Sequence, residues 1–395
     1  LKHQKMNTSR EQKEKNEKLE RLAINKCTLA LQSYSLKASH ELKRRKRNLE
    51  KFQNSNLNDE LHKTMIKAVY EKGNELAEGA VERNQIFFDS LLGTFRNERV
   101  PEHLRVELDF DDVDEAEHPG LHSSNEDHEK ARYVLKNLVR DWAEEGKVER
   151  EESLGKLLRR LEDVFFSKTN PDDVFAPRVL VPGAGLGRLV YELAKAGFEA
   201  EGNEFSYYML FGSSFMLNCS DENNQFEIAP YWHTPLNHLS REDQYRLIKI
   251  PDESPSDNMH KFKQGGSMSM CAGDFSEVYK AKEYENAFDA VCCCFFLDTA
   301  KNVFDYLKTI KYCLRNGGTL VSIGPLLWHW VDQDNQEPDD ISIEVALDDL
   351  LAFARELGFS VDVKETNVLC SYATDWKSMH RTVYDCAFLS FTLTK

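Results

Sequence analysis

Apolar residues recur along this chain with two different periods, and the change from one to the other divides it. Between about residue 29 and residue 95 the period is helical: Leu57, Leu61, Met65 and Val69 follow at four-residue steps and predict one apolar stripe on a helix. Residues 126–142 repeat the pattern, with Ala131, Val134, Leu135, Leu138 and Trp142 on a docking face. Asn137 and Arg140 lie three apart and off that face, free to meet a ligand or water. From residue 178 onward short apolar runs alternate with helical stretches. Strands are expected at 178–181, 200–203, 268–272, 287–294, 319–323, 360–364 and 385–392. Such alternation predicts an α/β, doubly wound sheet of seven strands whose last pair is a hairpin.

The polar stretches mark the boundaries. Residues 1–28 are rich in Lys and Glu and predict a disordered tail or a fraying helix. Residues 29–125 read as a helical extension closed by an acidic linker, with Pro101, the acidic run 109–117, Pro119 and Gly120. Residues 126–395 then form the sheet domain. Within it, 220–264 is too long for an ordinary crossover and mixes Tyr231 and Trp232 with Pro230, Pro235, Pro251 and Pro255. Such an insertion predicts a lid or partner surface, with a disordered excursion over 252–264.

Composition narrows the function classes. At 395 residues the chain can bury a full α/β core, and no apolar run is long enough to cross a bilayer, so a soluble protein is expected. The opening residues are polar and lack the apolar core of a secretory signal. Nine cysteines, three of them consecutive at Cys292, Cys293 and Cys294, show no C-x-x-C spacing, which suits a reducing compartment and packed thiols. A net charge of −16 argues against nucleic acid as a general partner. The basic run Lys43, Arg44, Arg45, Lys46 and Arg47 is the local exception: a solvated helix face on one reading, a nuclear address or RNA contact on another. Cytoplasmic placement follows from the cysteines, and nuclear placement rests on that run alone. The apolar stripe of the extension fits both a homodimer contact and a brace for the sheet.

Residues 179–204 read VLVPGAGLGRLVYELAKAGFEAEGNE: an apolar strand, three close glycines, a helix pattern, and a short strand ending on an acid. That order opens a nucleotide-binding βαβ unit. Gly183, Gly185 and Gly187 supply a turn that can approach a ligand, because no Cβ blocks it or forbids positive φ. A dinucleotide fingerprint needs glycine where Arg188 stands, which disfavours a nicotinamide-dependent oxidoreductase. Glu204, at the end of the second strand, is placed to accept from both hydroxyls of a ribose. The competing reading is a plain strand-to-helix turn.

Further candidates end later strands. Asp274 follows the third strand, where it either accepts from an adenine amino group with Phe275 covering the ring, or caps a helix. Asp298 follows the fourth strand, beside the crevice where ligands of open α/β sheets bind, and capping is its competing role as well. His329 stands between Trp328 and Trp330, where a lone His reads first as structural. Tyr372 and Tyr384 fit core or rim. Motif order does not choose among these.

The G-x-G-x-G turn resembles the first motif of class I S-adenosylmethionine-dependent methyltransferases. More specifically, LVRDW (138–142), LVPGAGLGRL (180–189), GNEFSYYML (202–210), AGDF (272–275), CFFLDTAKN (294–302) and GPLLWH (324–329) together resemble the carnosine N-methyltransferase family, from about residue 29 to the C-terminus. The resemblance implies a Rossmann-like seven-stranded methyltransferase sheet with a helical N-terminal extension and a long insertion after the second strand–helix unit. It implies methyl transfer from S-adenosylmethionine, without a metal, to the imidazole of carnosine, giving anserine. By motif, Arg140, Gly183, Glu204, Asp274, Phe275 and Cys294 hold the cofactor, with Gly185 and Gly187 in the same turn, and Asn137 stands where the family carries glutamine. Phe295, Asp298, His329, Tyr372 and Tyr384 surround the substrate, Asp298, His329 and Tyr384 being the catalytic set. Lys301 stands where the family's D-T-A-H-N block has histidine, and Trp328 and Trp330 replace its usual aromatics. Two other functions compete: methylation of a histidine or another nitrogen in a protein, and a noncatalytic cofactor-binding scaffold whose helical N-terminus recruits partners.

Overall fold

A computed structural model describes residues 2–54, 59–96, 105, 123–167, 176–331 and 342–394, with side chains from residue 17 onward. The chain divides into two compact units: residues 1–137, 224–250 and 377–379, and residues 138–223, 251–376 and 380–395. No helix among the described residues is long and apolar enough to cross a membrane.

The first unit is built on α1 (Lys2–Gln32), α2 (Tyr34–Gln53), α3 (Glu60–Phe95) and most of α4 (Asn125–Trp142). The expected charged tail is helical from Lys2, and burial already begins at Ile24 and Cys27, ahead of the expected boundary at residue 28. On α3 the buried face is Ala77, Ala80, Val81, Asn84, Phe87, Phe88 and Leu91. The stripe expected at its start is not the docking face: Leu61, Met65 and Val69 are 68, 59 and 46% exposed, and Leu57 lies outside the described residues. Strict four-residue steps drift about 40° per repeat around a 3.6-residue helix, whereas the buried set alternates threes and fours and stays on one side. The acidic linker 109–117 also lies outside the described residues.

The aromatic half of the insertion belongs to this helical unit. Its strands Phe226–Ile228 and Ile248–Ile250 pair antiparallel, and Ala229 is clamped by Asn84, which donates to its carbonyl at 2.9 Å and accepts from its N–H at 2.7 Å. Trp232 Nε1 donates to the Tyr34 hydroxyl at 2.7 Å. Tyr231 and Trp232 are therefore core residues here, not tips of a free-standing lid. The basic run is helical and split: Arg45 turns inward to Glu41 and the His233 carbonyl, while Lys43, Arg44, Lys46 and Arg47 are exposed.

The second unit carries the sheet. Its strands are β1 (Arg178–Pro182), β2 (Glu199–Glu204), β3 (Ser267–Ala272), β4 (Phe288–Cys294), β5 (Leu314–Gly324), β6 (Phe359–Ser371) and β7 (Val383–Leu393). Their spatial order is β3-β2-β1-β4-β5-β7-β6; the first five run parallel, and β7 is antiparallel to both of its neighbours. The strand order reverses at β1, between β2 and β4, so the carboxyl ends of those strands open on the crevice where ligands bind in such sheets. All seven expected strands form, most of them longer than expected.

Helices cover both faces. On one side α6 (Leu154–Phe165) and α7 (Arg188–Lys195) pack on Val179, Val181, Cys292 and Ile323. On the other, α9 (Val303–Cys313) and α10 (Leu347–Glu356) pack with Leu180, Val291, Cys293 and Leu389. Between α4 and α6 lies the short α5 (Lys147–Glu152), and α8 (Tyr207–Cys219) follows β2. Consecutive cysteines thus fall on opposite faces, as the two-residue period of a strand requires, and all nine are free thiols. The expected disorder over 252–264 is not found. Asp252 bridges Arg150 and Arg188, and the Ser254 side chain caps a helical turn, Pro255–Asn258.

Candidate active site

The glycine turn follows β1, and all three glycines adopt positive φ: +65° at Gly183, +55° at Gly185 and +81° at Gly187. Its ends are packed and its middle is open. A Cβ on Gly183 would lie 2.6 Å from the Phe296 ring and one on Gly187 2.8 Å from Leu217, whereas one on Gly185 would meet nothing within 4 Å. Glu204 locks the turn to the end of β2. Its Oε2 accepts from Gly185 N at 2.9 Å, and its Oε1 from Phe205 N at 2.8 Å and Ser206 N at 2.9 Å. Three of about four acceptor positions are thus occupied by backbone N–H groups. Burial raises the Glu204 pKa, and the three N–H groups oppose it. Arg188 points away from the turn, donating to the Asp141 carbonyl at 3.0 Å and Asp252 at 2.6 Å.

Asp274 is half-buried after β3, and its Oδ1 accepts from Glu277 N at 3.1 Å and Ser276 Oγ at 2.6 Å, so capping is realised. Phe275 is 3% exposed, its ring set against Tyr279, Phe296 and Tyr306 at 5.4–5.5 Å.

Neither expected polar residue of α4 faces water. Asn137 is 5% exposed, and its Nδ2 donates one turn back to the Tyr133 carbonyl at 2.9 Å. Arg140 pairs with Glu149 at 3.0 Å and Asp141 at 3.4 Å, and reaches Cys294 Sγ at 3.8 Å. Burial acts against its cation, yet Asp141, Cys294, Tyr372 and Glu149 together hold its pKa above the ordinary value. Burial pushes the Cys294 thiol up to about 11.

At the end of β4 the backbone turns sharply. Phe295 takes the left-handed conformation, φ +51°, and its N–H donates to the Ile323 carbonyl at 2.8 Å. Its ring centroid then stands 4.9 Å from Tyr372 and 6.1 Å from Tyr384, with the Arg140 guanidinium 5.0 Å from the Tyr372 ring. These residues, 244 positions apart at the extremes, build one aromatic wall with Arg140 against it. Asp298 follows in a 3-10 turn and is 2% exposed. Its carboxylate does not cap that turn: Oδ2 accepts from Leu327 N at 3.0 Å, and the Asp298 carbonyl accepts from His329 N at 3.0 Å. Burial raises the Asp298 pKa; the Leu327 N–H and His329 oppose it. The His329 side chain is itself exposed, while Trp328 and Trp330 are tied down through their ring N–H groups to Val345 and Thr299 carbonyls at 3.2 and 2.9 Å. The glycine turn and the aromatic wall therefore share one end of one sheet. No group of three or more His, Cys, Asp or Glu able to hold a metal occurs among the described residues.

Two site-supporting residues were absent from the sequence reading. Glu149 and Glu152, one turn apart on α5, accept the backbone N–H groups of Ala373, Thr374 and Ser371, more than 200 positions away. No local motif marks them, because their partners are peptide groups without sequence identity.

Residues 117–395 match the family described as carnosine N-methyltransferase. The carnosine N-methyltransferase of Schizosaccharomyces pombe is 40% identical over 261 residues, covering 65% of this chain and 68% of the relative. That of Drosophila melanogaster is 41% identical over 259 residues (66% of this chain, 54% of the relative). That of Mus musculus is 38% identical over 267 residues (67% and 63%). The matched stretch is thus between about half and two thirds of the relatives' own lengths. This chain belongs to the carnosine N-methyltransferase family.

Proposed function

We propose that this protein transfers a methyl group from S-adenosylmethionine to an imidazole nitrogen of carnosine, giving anserine. The observation that carries this reading within the family is Asp298, a carboxylate 2% exposed after β4, three residues beyond Phe295, whose ring packs on Tyr372. The open middle of the glycine turn at Gly185, with Glu204 behind it, fits an adenosyl cofactor, and Arg140, Asp274, Phe275 and Cys294 border the same strand ends. Bound there, S-adenosylmethionine supplies a methyl group already activated on a sulfonium.

The protein's own residues then need to supply position more than acid–base strength. Neutral imidazole has one N–H and one lone pair, and methylation requires the lone pair to face the methyl group. Asp298, accepting the N–H, fixes that tautomer and stabilises the positive charge that grows on the ring. The Leu327 N–H holds the carboxylate in place from behind. Phe295, Tyr372 and Tyr384 exclude water and favour a cationic ring by their π faces. Alignment of this kind is worth up to about 7–11 kcal/mol of barrier.

The test is purified protein with S-adenosylmethionine and carnosine, read by mass spectrometry for a methylated dipeptide. Methylated dipeptide supports the reading. If a protein that binds the cofactor yields none, carnosine is removed as substrate, and histidine-bearing proteins become the next substrates to assay.

A further inference from the structure

Arg140 and Tyr372 come from opposite ends of the second unit's sequence, and one buried carboxylate touches the supports of both. Glu149 is 1% exposed. Its Oε1 lies 3.0 Å from Arg140 Nε and accepts from Ala373 N at 2.8 Å, and its Oε2 accepts from Thr374 N at 3.2 Å. One helical turn on, Glu152 Oε2 accepts from Ser371 N at 2.8 Å. The segment so held carries Tyr372 and contains Ala373 at φ +47°, a conformation that costs a non-glycine residue energy and persists only where its surroundings impose it. Arg140 in turn spans from Glu149 to Cys294, with its guanidinium against the Tyr372 ring.

We propose that Glu149 is a positioning residue that couples the cofactor side of the site to the substrate side. Its charge aims Arg140, and the same two oxygens set the turn that presents Tyr372. Glu152 contributes to that turn only, through Ser371 N. Loss of Glu149 therefore disturbs both ligands together, and loss of Glu152 disturbs one. This inference rests on the reading of Arg140 as a cofactor contact and Tyr372 as part of the substrate wall.

The experiment compares Glu149→Gln with Glu152→Gln in the full chain, using calorimetry with S-adenosylhomocysteine and steady-state methylation of carnosine. Glu149→Gln is expected to weaken the cofactor analogue and to raise the carnosine KM, each by about tenfold or more, because a charge-assisted contact is lost on both sides. Glu152→Gln is expected to raise the carnosine KM by a smaller factor and to leave analogue affinity within about twofold. A purely structural role would lower the active fraction, and so the apparent kcat, while leaving both constants of the surviving enzyme in place; that result overturns the proposal. So does an equal effect of the two variants on analogue affinity. Should Glu149→Gln fail to fold, Glu149→Asp, which keeps the charge but shortens the reach, carries the same comparison with Glu152→Gln: weakened analogue binding together with a raised carnosine KM supports the two-sided role, and both constants within about twofold of the parent overturn it. If the parent binds the analogue but does not methylate carnosine, the proposed function fails, while the calorimetric arm still decides whether Glu149 aims Arg140.

Discussion

The two halves of the site are held in opposite ways. The glycine turn of the proposed cofactor half is local: Gly183, Gly185, Gly187 and Glu204 lie within 22 consecutive positions, and their geometry is made by the turn's own dihedrals and by three backbone N–H groups on one carboxylate, while Arg140, Asp274, Phe275 and Cys294 join it from other segments. The proposed substrate half is assembled: Phe295, Asp298, Leu327, Tyr372 and Tyr384 arrive from separate segments and are fixed by contacts such as Leu327 to Asp298 and Glu149 to Ala373. A local site survives changes elsewhere so long as its turn forms. An assembled one depends on every element that supports it.

The largest blow to the substrate half is expected from Asp298→Ala. If the carboxylate orients the imidazole and stabilises its charge, kcat/KM for carnosine falls by about two or more orders of magnitude while S-adenosylhomocysteine affinity, measured by calorimetry, holds. A parallel fall in cofactor affinity would show that the halves are not separable there.

The matching blow to the other half is Glu204→Ala. Removing an ionised acceptor that serves three N–H groups is expected to cost about 1.5–3 kcal/mol of cofactor binding, roughly ten- to a hundredfold in Kd. Retained affinity would mean that the glycine turn holds without its clamp.

Gly183→Ala tests how local the turn is. A left-handed alanine costs about 1–2 kcal/mol, and here its Cβ would also press on the Phe296 ring at 2.6 Å. Chemical denaturation is expected to show at least that loss of stability.

The smallest effect sharpens the comparison through pH. Burial raises the Asp298 pKa above its ordinary 3.8, so the folded state is favoured while the group is protonated, and that contribution is lost as pH rises through the elevated value. Asp298→Asn removes the titration, and its amide oxygen can still accept from Leu327 N. The variant should therefore melt above the parent at neutral pH, with the gap closing as pH is lowered. A gap that widens on acidification would reverse the assignment.

How much of this the sequence disclosed follows the same division. The seven strands and the glycine turn were legible because apolar periodicity and positive-φ glycines are local signals. The place of Glu204 at a strand end was legible, though not the three backbone N–H groups that it accepts from. Capping, a competing role for both strand-end acids, is realised at Asp274 and not at Asp298, because Leu327 N reaches the latter from a segment 29 positions on. The stripe through Leu61, Met65 and Val69 misled because four-residue spacing mimics a helix face over one turn and leaves it over three. The insertion misled because proline and polar content resemble a loop's, while its order comes from distant side chains, Asn84 for Ala229 and Arg150 and Arg188 for Asp252.

Phe295 carries a consequence of its own. A phenylalanine at φ +51° stores about 1–2 kcal/mol that a glycine in the same place would release. Selection for heat tolerance alone would favour Phe295→Gly and dismantle the aromatic wall, whereas selection for turnover would keep the ring and the strain. The residue is a point at which durability and chemistry pull in opposite directions, and libraries sorted first on one criterion and then on the other should part company there.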